Sequence, residues 1–437
     1  MTGGNELEGY NLDMISYNDT YGQSFFKNFT KLEMETVWPE VYGNTRSLSW
    51  IQSSDSHGYS YYNPNTGTWL NRYGNVATEY PSPYFGPAEL YNLETVQAFN
   101  HSVLPASRFM VEFGIWSYDS LESYQTILPD ADIHPKNPII IQRCYDDGPN
   151  TVNILDNAVA TYYAYPNRSD PLVQFDQMSW TTQIYQAEHI KNQIESYRRS
   201  VGLPENNLGQ LFWQLNAPWT TLSLNSIEYT ERWKVLQYVA GQVFHRVAVS
   251  SWIEPTNTTF NLWVVSDSWE PVSGTVTATW MTWAGDILNT TEYPFTLSEL
   301  NSTALDERTG WSQILPNSAK SSDAVLLLNL TAHSNVSTFM NQNFLVPHYL
   351  SNARLVDPGL KLSKVEGRTW RVEASWGVAA YVWLSHPIGV TGYFDQNAVF
   401  LAKGETRDFK FTVLKDTTDG AWEASVRVRS MWDNWEI

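Results

Sequence analysis

Leu208-Gly209-Gln210-Leu211-Phe212-Trp213-Gln214-Leu215 is a largely apolar run of strand length, and its neighbours decide the fold. Before it, Trp180, Ile184, Ala187, Ile194 and Tyr197 recur near the 3.6-residue period, and the pattern stops at Gly202 and Pro204. That predicts a helix over Leu172–Arg199. After it, Trp233, Leu236, Val239 and Val243 fall on one side of a second predicted helix, Arg232–Val243. An apolar run between two helices reads as a buried parallel strand. Ser47-Leu48-Ser49-Trp50-Ile51 and Arg108-Phe109-Met110-Val111-Glu112-Phe113 are shorter runs of the same kind. Strand and helix alternating over roughly the first 240 residues imply an α/β part with a parallel sheet.

From about His245 the period changes to two. Phe260, Leu262 and Val264 alternate with Asn261 and Trp263, and Phe409, Phe411 and Val413 with Lys410 and Thr412, which is sandwich patterning. A fresh strand series after Pro347 predicts two such domains, residues 245–348 and 349–437. The stretch Ser53–Leu90, rich in Ser, Tyr, Asn, Gly and Pro, has no periodicity. So long a loop is usually functional.

A chain of 437 residues is large enough for two to four domains. Aromatics at 14% against charged residues at 17% are the reverse of a disordered composition. No apolar run reaches the roughly 18 residues of a spanning helix, so no membrane partner is expected. A net charge of −19 repels polyphosphate, so no nucleic-acid partner is expected. The 20 Trp and 25 Tyr offer flat faces on which sugar rings stack, although any one Trp is more often core. Cys144 is the single cysteine; it offers no disulfide framework or thiolate metal site and reads as a buried small hydrophobe. Glycosylation sequons stand at Asn18, Asn28, Asn100, Asn167, Asn257, Asn289, Asn301, Asn329 and Asn335, roughly twice the chance expectation, which points to a secreted, extracellular protein. The opening Met1-Thr2-Gly3-Gly4-Asn5-Glu6 has no basic or apolar leader region, so no signal peptide is expected within this chain: either the protein is cytosolic and the sequons are idle, or its true N-terminus is missing.

Two carboxylates stand at predicted strand ends: Glu6, after Gly3-Gly4-Asn5, and Glu112. A parallel α/β barrel gathers such positions into one mouth. Two carboxylates about 5 Å apart suit a retaining glycosidase, one attacking the anomeric carbon and the other protonating the leaving oxygen. By spacing alone they remain two of 46 acidic residues. His57, on the long loop, either lines a subsite beyond the sugar or is an ordinary loop histidine. His134, His189 and His245 lack metal-ligand spacing, and no phosphate loop or nucleophile elbow occurs. No cofactor and no metal is implied.

Taken in order, Gly4-Asn5-Glu6, Arg108-Phe109-Met110-Val111-Glu112-Phe113-Gly114, Gly209-Gln210-Leu211-Phe212-Trp213-Gln214-Leu215-Asn216 and Glu231-Arg232-Trp233-Lys234-Val235-Leu236 resemble the β-mannosidases of glycoside hydrolase family 2, especially the secreted fungal ones. Asp267-Ser268-Trp269-Glu270-Pro271-Val272-Ser273-Gly274-Thr275-Val276 and Gly377-Val378-Ala379-Ala380-Tyr381-Val382-Trp383-Leu384 look like that family's two C-terminal sandwich domains. The resemblance implies the C-terminal half of an (α/β)8 TIM barrel over residues 1–244, followed by Ig-like β-sandwiches at 245–348 and 349–437. It implies Glu6 as general acid/base, Glu112 as nucleophile, Asn5 beside the sugar 2-hydroxyl, and Trp213 under the sugar ring or in the barrel core. Val111 departs from the small or polar residue usual before the nucleophile. Leu90 stands where a positioning Tyr is expected, unless Tyr91 serves.

Family members carry several hundred residues before the Asn-Glu motif, so the chain reads as an incomplete fragment. Its open half-barrel is expected to fold poorly alone, whereas the sandwiches survive. The expected activity is retaining hydrolysis of terminal non-reducing β-D-mannose from manno-oligosaccharides or glycans. The alternatives are another retaining family 2 exo-glycosidase, or a non-catalytic remnant that binds carbohydrate or partners. The sequence gives no oligomeric state.

Overall fold

The computed structural model describes residues 5–6, 24, 28–29, 31–44, 54, 60–63, 68–71, 87–105 and 107–435. It divides into two compact units. The first holds Met1–Tyr91, Val103–Phe113 and Ser196–Phe212; the second holds Asn92–Ser102, Gly114–Glu195 and Trp213–Ile437.

In the first unit, β1 (Ser60–Asn63) and β2 (Thr68–Asn71) pair antiparallel. The long stretch Ser53–Leu90, which has no periodicity, therefore contains a strand pair. Its two short runs are separated by Pro64-Asn65-Thr66-Gly67, a sequence of turn-forming composition. The predicted run Ser47–Ile51 lies outside the described residues. β3 (Pro87–Leu90) and β4 (Phe109–Phe113) pair in parallel, and two further parallel bridges join Asn5 to Ser54 and Met110 to Gln210.

The run 208–215 departs from its reading as a buried strand. Residues 208–211 follow β4, with Leu208 N–H on Arg108 O at 2.7 Å and Leu211 N–H on Met110 O at 2.8 Å. Yet Leu208, Leu211 and Leu215 are 66%, 58% and 58% exposed. Among the described residues, ladder bonds hold residues 208–211 along one edge only. Beyond Phe212 the chain enters the second unit, where Gln214 N–H bonds Leu224 O and Ser226 N–H bonds Gln214 O.

The long helix Pro171–Arg199 matches its predicted span, and Trp180, Ile184, Ala187, Ile194 and Tyr197 are all buried. Its polar side is buried too, because it is bonded: Gln186 accepts from the Ser117 hydroxyl at 2.8 Å and donates to Ile115 O at 2.9 Å, and Gln183 donates to Tyr118 O at 3.1 Å. The second predicted helix begins three residues late, at Val235–Val243. Lys234, its N-cap, is fully buried, with its ammonium 2.9 Å from Asp119. The short strands β5 (Ser117–Tyr118) and β6 (Leu222–Ser223) pair beside this network. Cys144 is half-buried rather than buried.

Two sandwiches follow. The first packs a four-stranded sheet, order β10-β9-β12-β13, on a three-stranded one, β11-β8-β7. Its strands are β7 (Val247–Glu254), β8 (Thr259–Ser266), β9 (Val272–Thr282), β10 (Ile287–Leu297), β11 (Asn301–Thr309), β12 (Ala324–His333) and β13 (Thr338–Leu345). The predicted inward positions Phe260, Leu262 and Val264 lie in its core with Val276, Trp280, Leu328 and Leu330. Gly274 is required by close approach, since a Cβ there would stand 2.2 Å from Thr331 O.

The second sandwich packs sheet β14-β15-β19-β17 on β18-β16-β20. Its strands are β14 (Leu360–Lys364), β15 (Thr369–Ala374), β16 (Ala379–Ser385), β17 (Val390–Phe394), β18 (Val399–Leu401), β19 (Thr406–Asp416) and β20 (Arg427–Arg429). Trp370, Phe394, Phe411 and Trp422 form its aromatic centre, with ring centroids 4.7–5.9 Å apart.

Candidate active site

The site is built in the first unit from three strand ends. In the parallel pair β3–β4, buried Ala88 and Met110 are partners, and after a register shift Glu89 stands opposite Glu112. Opposite residues of paired strands share a face, so the two carboxyls lie side by side. The third strand end is the Asn5–Ser54 bridge. Glu6 N–H donates to Ser54 O at 3.1 Å, and the Ser54 hydroxyl donates to Asn5 Oδ1 at 2.7 Å. Glu6 has φ 53°, in the left-handed region. A non-glycine residue is uncommon there, and such strain concentrates at functional positions.

These strand ends bring Glu6, Glu89 and Glu112 together, with one carboxylate oxygen of each within 4.8 Å of the others. Tyr91 donates its hydroxyl to Glu112 Oε2 at 2.9 Å. Burial raises the Glu112 carboxyl above its ordinary range and the Glu6 charge adds to this, while the Tyr91 hydrogen bond opposes both. Glu6 and Asn5 are exposed and Glu112 is half-buried, an arrangement open to a ligand on the Glu6 side. A carboxylate pair at this separation fits a glycosidase that retains configuration. Three converging carboxylates are also a donor set for a hard divalent cation.

Glu89 was not among the sequence candidates. The signal was present: it is an acidic residue at the end of a short strand, the criterion that selected Glu6 and Glu112. What was missing was the pairing partner. Leu90 is half-buried, and it is Tyr91 that touches Glu112. Trp213 belongs to the second unit, where it is half-buried and joined to Gln214 by a cis peptide bond. His57 and Asn18 lie outside the described residues. Of the other sequon asparagines, Asn28, Asn167, Asn257, Asn289, Asn329 and Asn335 are exposed and Asn100 and Asn301 half-exposed.

The first unit thus gathers three carboxylates at strand ends, and the second carries two β-sandwiches. Residues 258–348 match the mannosidase Ig/CBM-like domain family, and residues 355–434 match the Ig-fold domain family of mannosidases. Among particular proteins, the chain is 35% identical to β-mannosidase A of Aspergillus niger, over 99% of this chain and 48% of that protein. It is 34% identical to β-mannosidase A of Aspergillus flavus, over 99% and 49%. The chain thus spans about half the length of the curated relatives it matches.

Among solved structures, β-D-mannosidase from Dictyoglomus thermophilum aligns with TM-score 0.66 at 15% identity, covering 92% of this chain and 44% of that one. An exo-chitosanase of Amycolatopsis orientalis aligns with TM-score 0.57 at 16% identity, covering 88% and 47%. At these identities the likeness is one of fold. Among the described residues, no helix is long and apolar enough to cross a membrane.

Proposed function

We propose that the chain is the C-terminal part of an extracellular, retaining exo-β-mannosidase that removes terminal non-reducing β-D-mannose. The observation that carries this reading is the set of carboxylate oxygens within 4.8 Å, with Tyr91 on Glu112. Glu112 attacks the anomeric carbon while Glu6 protonates the departing oxygen. Glu6 then deprotonates the water that releases mannose from Glu112. The Tyr91 hydroxyl favours the ionised Glu112 that the attack needs. The Asn5 amide oxygen accepts from Ser54, which leaves its NH2 as a donor for the sugar 2-hydroxyl. The parallel pairings support residues 1–244 as half of an (α/β)8 barrel, with 245–348 and 349–437 as the sandwich domains.

The test uses the intact protein. Glu112→Ala should lose about four decades of turnover on aryl β-mannosides. Azide should restore part of it as the azide adduct of opposite anomeric configuration. Glu6→Ala should slow substrates with poor leaving groups far more than activated phenols. Wild-type turnover in Glu112→Ala, or equal slowing of all leaving groups in Glu6→Ala, would overturn the assignment. Faster turnover of aryl β-glucosaminides or β-galactosides than of mannosides would keep the mechanism and replace the sugar.

A further inference from the structure

A cavity of ≈ 300 Å³ lies wholly within the second unit, between the long helix, the β7–β8 hairpin and the segment after β13. Its volume is at the lower end of small-ligand sites. Its walls are aromatic: Trp252 and Trp311 from the first sandwich, and Tyr349 beyond it. Trp311 is 37% exposed, so its indole is open to a ligand. Trp252 stacks on His101 at the cavity, ring centroids 4.7 Å apart.

Carboxylates and a hydroxyl stand among these rings. Glu254 ends β7, and Glu188 lies 3.4 Å from the Lys191 ammonium. Ser251, 7% exposed, is in the same wall, and its hydroxyl has no hydrogen-bond partner among the described residues. Flat apolar faces beside carboxylates match a molecule with apolar ring faces and an equator of hydroxyls. The acidic groups disfavour an anion.

The sequence around the mouth points to the same chemistry. The sequon residue Asn257 sits in the β7–β8 turn between lining residues Pro255 and Thr258, and is exposed. The sequon residue Asn100 sits between lining residues Phe99 and His101. Both asparagines would attach a glycan at the rim.

We propose that this cavity is a second saccharide-binding site, which takes a neutral oligosaccharide either free or as the chain's own N-glycan. It does not rest on the carboxylate cluster, and its readout is binding rather than hydrolysis.

The test is calorimetric titration of mannotriose into the intact protein carrying Glu112→Ala, which prevents turnover. The protein is made with Asn100→Gln and Asn257→Gln and, separately, with both asparagines retained in a secretory host. A free-ligand site gives a binding equivalent in both preparations. A glycan-filled site gives it only in the Gln variant. In either case Trp311→Ala should weaken that equivalent about tenfold or more. The same substitution without Glu112→Ala should leave aryl β-mannoside turnover unchanged. If the active site fails to bind mannotriose, the Trp311-dependent equivalent still stands alone. Absence of any Trp311-dependent equivalent in the Gln variant would overturn the proposal. So would binding of tetramethylammonium, but not mannotriose, at that site.

Discussion

Tyr91 reaches Glu112 across 2.9 Å, and this one hydrogen bond opposes both burial and the Glu6 charge. Tyr91→Phe should therefore move the acid limb of the kcat/KM profile to higher pH, because the carboxyl loses the donor that favours its ionised form. Turnover at neutral pH should fall about tenfold, the worth of a hydrogen bond to a charged group. An unmoved limb would detach Tyr91 from the reacting carboxylate. A second carboxyl sets a stability signature. Burial, with Asp119 nearby, pushes Glu228 up to about 7 against the Lys234 charge and the Ser120 and Ser123 donors. Its folded value lies above the ordinary 4.5, so its contribution is full below that pH and is lost as pH rises through about 7. Burial pushes His189 down to about 4, which slopes stability the other way. The measurable quantity is thus a difference: the Tm of the wild type minus that of Glu228→Gln should fall between pH 4.5 and 7. A flat difference would mean that Glu228 is not held protonated by the fold.

At the scale of elements, Gly274 in β9 shows what a sheet demands of its closest approach. Gly274→Ala places a Cβ 2.2 Å from the Thr331 carbonyl of β12, and overpacking of that kind costs about 1–3 kcal/mol. Denaturant unfolding should show the loss, whereas an unchanged midpoint would mean that the strands separate without penalty. The Pro171–Arg199 helix shows how far periodicity reads. Its apolar positions were legible because Trp180, Ile184 and Ala187 repeat along the chain. The burial of Gln183 and Gln186 was not, since the groups that bond them, Tyr118 and Ser117, are far away in sequence. Lys234 is similar: it looks like the start of an amphipathic helix until Asp119 is found 2.9 Å from it.

At the scale of the molecule, the second sandwich is tied to the Pro171–Arg199 helix and to the segment just before Val235, all within the second unit. Trp233 stacks on Tyr393 with centroids 4.1 Å apart, and Arg232 donates to His386 O and Pro387 O, each at 2.8 Å. Arg429 pairs with Asp176 at 2.8 Å, and Asn434 donates to Thr181 at 2.7 Å. These contacts bear on the expectation that the sandwiches stand alone from about His245. Limited proteolysis should leave a core that keeps the Pro171–Arg199 helix with both sandwiches, because removing the helix would take from Arg429 both the Trp180 ring it lies over and its ion-pair partner Asp176. A stable product that begins near His245 would show instead that the sandwiches need no helix.

The sequence by itself determined a helix over 172–199 and the alternation that makes two sandwiches, because each of these is written in neighbours along the chain; Glu6 and Glu112 stood out from the other acidic residues only through the family resemblance. Tertiary structure decided the rest. Strand register placed Glu89 opposite Glu112 and brought Tyr91 rather than Leu90 to the carboxyl. Leu208 and Leu211, on a segment bonded to β4, are exposed where apolarity alone implied burial. The physical reason is the same in each case: composition and period report which face an element can bury, but the residue across a strand pair is fixed only when the register is.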